Sequence, residues 1–262
     1  MLVLFIKFNH HLKFRLMRIQ LLFATAILFF ASCKTPNIAI SEDLKANSAV
    51  MEVKGRQGFQ FNQVIRYGTF NTDKVKRGWT GYEELTVGIT RFVTRFQKAS
   101  QKLSFTQSTP DGQRAVVLAV SKFKNQEIDL LEGYLSIPFK FENAFAGTVI
   151  SNDNEDNPWD FVIHNPDASL PRDTDSGLAR SAKGEEIFIR AIKKIEGQGK
   201  WSSFDNYGFE FLHKGKAIAA VSTLNNGRVW ISKDLDPATR LVVSSISTSL
   251  LLRHNLGEGF SD

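Results

Sequence analysis

Leu241 to Leu252 (LVVSSISTSLLL) runs for twelve residues without a charged side chain. As a helix this run is about 18 Å long, too short for a hydrocarbon core of ~30 Å. Apolar side chains and small Ser or Thr residues occur all round it, and the hydroxyls can bond their own backbone carbonyls. A helix with no charged face has to be surrounded by protein. Its start is well marked. Asp236 suits an N-cap, and Pro237 falls at the first helical position, where its missing N–H costs nothing. The expectation is a buried C-terminal helix over 241–252, and it requires the rest of the chain to enclose it.

What precedes the helix has the patterning of strands. Lys102 to Lys122 reads as a hairpin, with Leu103 and Phe105 alternating with polar neighbours. Thr109-Pro-Asp-Gly112 makes the turn, and Val116, Leu118 and Val120 alternate on the return. Phe145 to Ser151 and Trp159 to His164 read as two strands around an acidic loop. Tyr207 to Leu212 passes through His213-Lys-Gly-Lys216 into Ala217 to Thr223. Asn226-Gly227, a favourable type I′ pair, then leads into Arg228 to Ser232. In Glu185 to Ile195 the β-branched Ile187, Ile189, Ile192 and Ile195 favour strand over a short helix. The fold class predicted is mainly β, an antiparallel barrel or strongly curved sheet packed around helix 241–252. Residues 51–253 form one domain and 254–262 a tail.

The succession "FEFLHKGKAIAAVS", "GRVWI" and "LDPATRLVVSSISTSLLL" resembles the end of tubby-like proteins, including LURP-one and scramblase relatives. The resemblance covers about the last 50 residues. It implies a closed antiparallel barrel around a hydrophobic C-terminal helix, which a large barrel needs as filling. The cationic head-group-binding residues of tubby proteins have no matching motif, so none is carried over.

The other end of the chain reads as an address. Arg18 supplies a basic start, Leu21 to Phe30 an apolar run, and Ala31-Ser32 the small residues before a cut, as a secretory leader requires. Met17 is the expected initiator, with residues 1–16 lying upstream of it. Phe30-Ala-Ser-Cys33 resembles the lipobox of bacterial lipoproteins, with Phe30 where Leu is usual. The resemblance implies a signal peptide over 1–32 and a diacylglycerol, with a further acyl chain such as palmitate, on Cys33. The whole chain also resembles lipoproteins of Bacteroidetes-type bacteria. Two or three acyl chains hold a protein on a membrane where one does not. The polar stretch 34–50 then suits a tether.

Removing the leader changes the charge. The formal +6 of the full chain falls to +2, with 29 Lys and Arg left against 27 Asp and Glu. A nucleic-acid partner therefore has no support in composition. Basic clusters at Lys74–Arg77 and Arg190–Lys194 read as solvated edges. Cys33 is the one cysteine, so once it is acylated no disulfide can brace the domain despite the oxidising compartment. Stability must come from a core, for which 22 phenylalanines are available.

Candidate chemistry is sparse. Ser151–Asn157 and Asp173–Gly177 are acidic enough for calcium. An EF-hand needs a carboxylate at its twelfth position, however, and counting from Asp153 or Asp173 gives His164 or Gly184. His164, His213 and His254 lack zinc-ligand spacing. Trp79, Trp159, Trp201 and Trp230 could line a groove or pack a barrel wall. No catalytic, cofactor or metal residues are assigned, and neither a nucleophile elbow nor a P-loop is present. The reading is a lipid-anchored envelope protein with a non-enzymatic binding or scaffolding domain facing the periplasm, for an envelope lipid, glycan or protein. The alternative is an envelope-polymer hydrolase with a dispersed carboxylate site. Lys34 after the cysteine, and the lack of acidic residues in Lys34–Asn37, point to the periplasmic face of the outer membrane.

Overall fold

The computed structural model describes residues 36–57, 62–77, 92–94, 101–121, 144–164, 176–197 and 206–257. The leader, Cys33, Trp79, Trp201, Asp173–Asp175 and residues 258–262 of the expected tail lie outside these, whereas 254–257 belong to the last helix rather than to a tail. Among the described residues a short helix α1 (Glu42–Asn47) leads into strand β1 (Ser48–Glu52). β2 (Arg66–Tyr67), β3 (Phe70–Thr72), β4 (Gln101–Ser108), β5 (Arg114–Ser121) and β6 (Ala144–Ser151) follow. Then come β7 (Asn154–His164), β8 (Ser176–Ser181), β9 (Glu186–Ile192), β10 (Gly208–His213), β11 (Lys216–Ser222) and β12 (Arg228–Ser232). Helix α2 (Pro237–Gly257) ends the series.

All twelve strands belong to one antiparallel sheet, in the order β1-β12-β11-β10-β9-β8-β7-β6-β5-β4-β3-β2. From β2 to β12 each strand therefore lies beside its neighbour in sequence, and β1 returns to pair with β12. The two ends of the sheet meet at one bridge. Lys54 donates its amide to the Arg66 carbonyl at 2.8 Å and accepts the Arg66 amide at 3.0 Å. The result is a nearly closed barrel, which leaves little sheet edge unpaired.

The predicted helix is present and longer than expected. α2 begins at Pro237 and spans 21 residues, and every side chain from Leu241 to Leu252 is buried. Leu241, Val243, Ile246, Leu250 and Leu251 pack in one core with inward-facing Phe105, Phe145, Phe161, Phe209 and Phe211. Asp236 is its N-cap, accepting the Thr239 amide at 2.9 Å. Near the other end Arg56, only 6% exposed, donates to the Leu251 carbonyl at 2.9 Å. It also reaches the carbonyls of Thr223 and Asn225, both at 2.7 Å. One guanidinium thus joins the helix end, the β11–β12 connection and the seam.

Two local expectations are corrected. Leu103 and Phe105 do face the core, but their register partners on β5 are Ala119 and Val117, not Val116, Leu118 and Val120. Those three point to the outer face, where Leu118 and Val120 are nonetheless fully buried. Ala146, Ile150 and Val162 on the same face are buried too. Strands buried on both faces read as continuous apolar runs, so alternation could not assign the sides. The second correction concerns turns. Asn226-Gly227 is not a type I′ pair, because the positive φ angles fall on Asn225 (50°) and Gly227 (92°) in a wider connection. Lys214 (50°) and Gly215 (79°) both lie in the left-handed region instead. They make the two-residue turn between paired His213 and Lys216.

The acidic stretch after β6 is also not a loop. β7 begins at Asn154, so only Asn152 and Asp153 turn the chain. The segment 36–50 differs most from expectation. It forms α1 and most of β1 and packs on the barrel, so the compact unit begins at Pro36.

Two outcomes follow for stability. Arg56→Met leaves three carbonyls without their charged donor and should lower the unfolding free energy by about 2–4 kcal/mol, read from urea denaturation. Asp236→Ala should cost about 1 kcal/mol at neutral pH. Burial opposes ionisation of Asp236, but amide donors from Thr239 and Ala238 outweigh it and hold the carboxyl below its ordinary 3.8. The cap's charge-dependent stabilisation is therefore complete above that value and is lost as pH falls through the lower folded one. Asp236→Asn, compared with the parent between neutral pH and pH 3, should remove that dependence.

Candidate functional site

Two clusters of polar side chains among the described residues are candidates, one inside the barrel and one on its outer wall. Inside, Tyr67 on β2 donates its hydroxyl to the Ser244 carbonyl of α2 at 2.9 Å and lies 3.0 Å from the Thr248 hydroxyl. Thr248 in turn donates to Gln107 on β4 at 2.7 Å. Burial pushes the Tyr67 phenol well above its usual range, only partly offset by Thr248 and Ser244. A neutral phenol fixed in this way registers the helix against the wall. Ser244 and Ser249 bond back to the carbonyls of Leu241 and Ser245, both at 2.9 Å, as expected for hydroxyls on an enclosed helix. The Ser245 and Ser247 hydroxyls are buried without a partner among the described residues, and the bonded groups hold the helix in place.

On the outer wall, the segment from Asn37 to Asn47 lies across β9 to β12. Ile38 pairs with Ile195 as an isolated bridge. Its flanks are fixed by Ala39 N–H to Lys194 O at 2.9 Å and Glu196 N–H to Asn37 O at 2.8 Å. Ile38 and Leu44 are buried among Ile192, Ala217, Ala220 and Trp230. Gly208 makes room for this contact. A Cβ there would come within 2.8 Å of the Ile38 side chain and 2.3 Å of the Val221 carbonyl oxygen.

A buried carboxylate secures the segment. Glu210 faces outward from β10 and is 2% exposed. It accepts the Ser41 amide at 2.7 Å, at the start of α1, and forms an ion pair with half-exposed Arg190. Lys45 pairs with Glu196, which also accepts from Asn37 at 3.2 Å. The mutual attraction holds the Lys45 amine above and the Glu196 carboxyl below their ordinary values. A small pocket of about 90 Å³ remains between segment and wall, lined by Asn37, Ile38, Ile40, Lys45, Glu196 and Trp230 among others.

The residues singled out in the sequence are scattered. Trp159 is in the interior core and Trp230 under the N-terminal segment, so the two share no groove. His213 contacts the Glu186 carbonyl at 3.0 Å, and His164 and His254 lie on separate elements, β7 and α2. Arg77 of one basic cluster donates to Gln63 at 2.9 Å, and Arg190 of the other pairs with Glu210. Among the described residues no group of three or more His, Cys, Asp or Glu side chains could hold a metal ion. Glu52, Glu186, Glu196 and Glu210 each face a cation, not a second carboxylate. The docked segment was missed in the sequence because Ile38, Ile40 and Leu44 are too few to make a pattern. Glu210, a charge inside the run YGFEFL, was its one signal.

Among the described residues no helix is long and apolar enough to cross a membrane. The outer wall carries the facing pair Arg180 and Glu186 at 2.8 Å as well as outward apolar side chains, buried Leu118 and Val120 and exposed Phe188 among them.

Comparison with known protein families, curated proteins and solved structures finds no match for the chain.

If Glu210 holds the segment, Glu210→Ala strands the Ser41 amide and should cost about 1–3 kcal/mol. Limited trypsin digestion should then cut at Lys45 earlier than in the parent. An unchanged rate at Lys45 would mean that the apolar contacts suffice.

Proposed function

We propose that this chain is a lipid-anchored protein of the cell envelope, held through acylated Cys33, whose barrel domain binds or scaffolds rather than catalyses. The periplasmic face of the outer membrane is its proposed location. The observation that carries the non-enzymatic reading is the filled interior. Residues 241–252 occupy the space in which a barrel would otherwise hold a substrate, and Tyr67, Thr248 and Gln107 there are bound to one another. The resemblance to tubby-like proteins rests on the sequence pattern of about the last 50 residues and supports a binding role. The anchor rests on Arg18–Cys33 and its likeness to a lipoprotein leader. An envelope lipid, glycan or protein is the proposed class of ligand, and it would be met on the outer surface.

The test is metabolic labelling of expressing cells with an alkyne fatty acid, comparing the parent with Cys33→Ala. The parent should take the label and run as a shortened chain in the membrane fraction. The variant should stay unlabelled and full-length. A variant that matures and is released normally would overturn the lipoprotein reading.

A further inference from the structure

We propose that the anchored domain stands directly on the bilayer, with one defined end of the barrel against the lipid head groups. This inference rests on acylation of Cys33, as proposed above. It adds which surface meets the membrane and why.

The argument is one of chain length. The backbone is fixed from Asn37 onward by the Glu196–Asn37 and Ala39–Lys194 hydrogen bonds, at 2.8 and 2.9 Å. Three residues, Lys34 to Pro36, separate Cys33 from Asn37, and over these four steps a fully extended chain spans at most ~3.6 Å each, or about 14 Å. Glycerol carbons attached at Cys33 lie at head-group depth, so the wall around Asn37 cannot stand further than this from the interface. A flexible tether would have allowed the domain to tumble. This link is too short and too firmly docked to do so.

The sheet topology then identifies the end. Asn37 sits where β9 finishes at Ile192 and β10 starts at Gly208. In an antiparallel sheet the β11–β12 connection at Thr223–Gly227 belongs to the same end. So does the carboxyl end of α2, where Arg56 binds the Leu251 carbonyl. Exposed Lys194, Glu196, Asn225 and Asn226 mark this surface. The opposite end carries the Thr109–Gly112, Asn152–Asp153 and Lys214–Gly215 turns and the Asp236 cap. Both ends bear lysines, so the orientation follows from the docked segment rather than from charge. The tight hairpin turns and the amino end of α2 are the surface left to the aqueous compartment.

The acylated protein is purified and reconstituted into phosphatidylethanolamine–phosphatidylglycerol vesicles containing a lipid with a nitroxide on its head group. Because acylation consumes Cys33, introduced cysteines can be labelled singly with a fluorophore. Lys194→Cys and Asn226→Cys mark the proposed membrane end, and Asp153→Cys and Lys183→Cys the far end. The expected result is nitroxide-dependent loss of fluorescence at 194 and 226 and none at 153 and 183. Equal loss at both ends, or loss at the far end, would overturn the orientation. A Gly/Ser spacer of about twenty residues inserted after Thr35 adds roughly 25 Å of reach and should abolish the loss at 194. Its persistence would overturn the short link as the cause. Vesicle flotation separates the two levels. A parent protein that does not float sinks the lipid anchor and this inference with it, whereas flotation without a difference between ends sinks the orientation alone.

Discussion

The structure depends on the need to enclose an uncharged helix. At roughly 25 cal/mol per Å² of apolar surface removed from water, leaving Leu241–Leu252 exposed would cost more than a domain of this size can tolerate. The nearly closed sheet removes that surface from solvent all round. The helix in turn supplies the packing partner that a wide antiparallel ring lacks. Phe105, Phe145, Phe161, Phe209 and Phe211 project inward from four different strands. Without α2 their rings would line a cavity. Neither element has a stable face without the other.

Mutual dependence of this kind needs fixed registration, and the polar groups provide it. A purely apolar helix can slide or rotate within an apolar sleeve at little cost. The Tyr67–Thr248–Gln107 chain and the bond from Tyr67 to the Ser244 carbonyl remove that freedom, because any shift strands buried donors and acceptors. Asp236 at one end and Arg56 at the other set the axial position. Arg56 has further reach, since the same guanidinium holds the β11–β12 connection beside the seam at which Lys54 and Arg66 close the sheet. Helix placement and barrel closure are therefore coupled through one buried cation.

The parts of this architecture that were legible in the sequence share a physical cause. The helix could be read because an uncharged run with an N-cap and Pro at the first position admits few alternatives. The β4–β5 hairpin and the β10–β12 meander were visible as strands through their apolar runs and turn residues, and β9 through its β-branched isoleucines. Sidedness was not legible in β5 and β6, since RAVVLAVS and AFAGTVIS are buried on both faces and periodicity carries no signal there. The Asn226-Gly227 turn failed because the connection is held from outside by Arg56 and by the packing of Gly227 against Leu251. A Cβ on Gly227 would lie 2.4 Å from that leucine. Local turn preference was overridden by tertiary contact. The Lys214-Gly215 turn, with no such contact, follows ordinary hairpin geometry. As for the site, Cys33, Trp79 and Trp201 lie outside the described residues, and Trp159 and Trp230 stand on opposite faces of the wall.

The N-terminal segment shows how a weakly patterned sequence can still be structurally specific. Its apolar contribution is small, only Ile38, Ile40 and Leu44, yet Gly208 is shaped to receive Ile38. The carboxylate of Glu210 lies where the amide of Ser41, the residue before α1, needs an acceptor. A buried carboxylate is costly unless its partners are in place, so Glu210 favours the docked state over any alternative path for the segment. On the opposite side of β10, Phe209 and Phe211 pack toward the helix. One strand thus fixes the segment that leads from Cys33 on its outer face and contacts the enclosed core on its inner face. Under the proposed anchoring, the membrane attachment and the core are linked through β10 rather than joined by a loose leash. The domain's orientation is then a property of the fold itself.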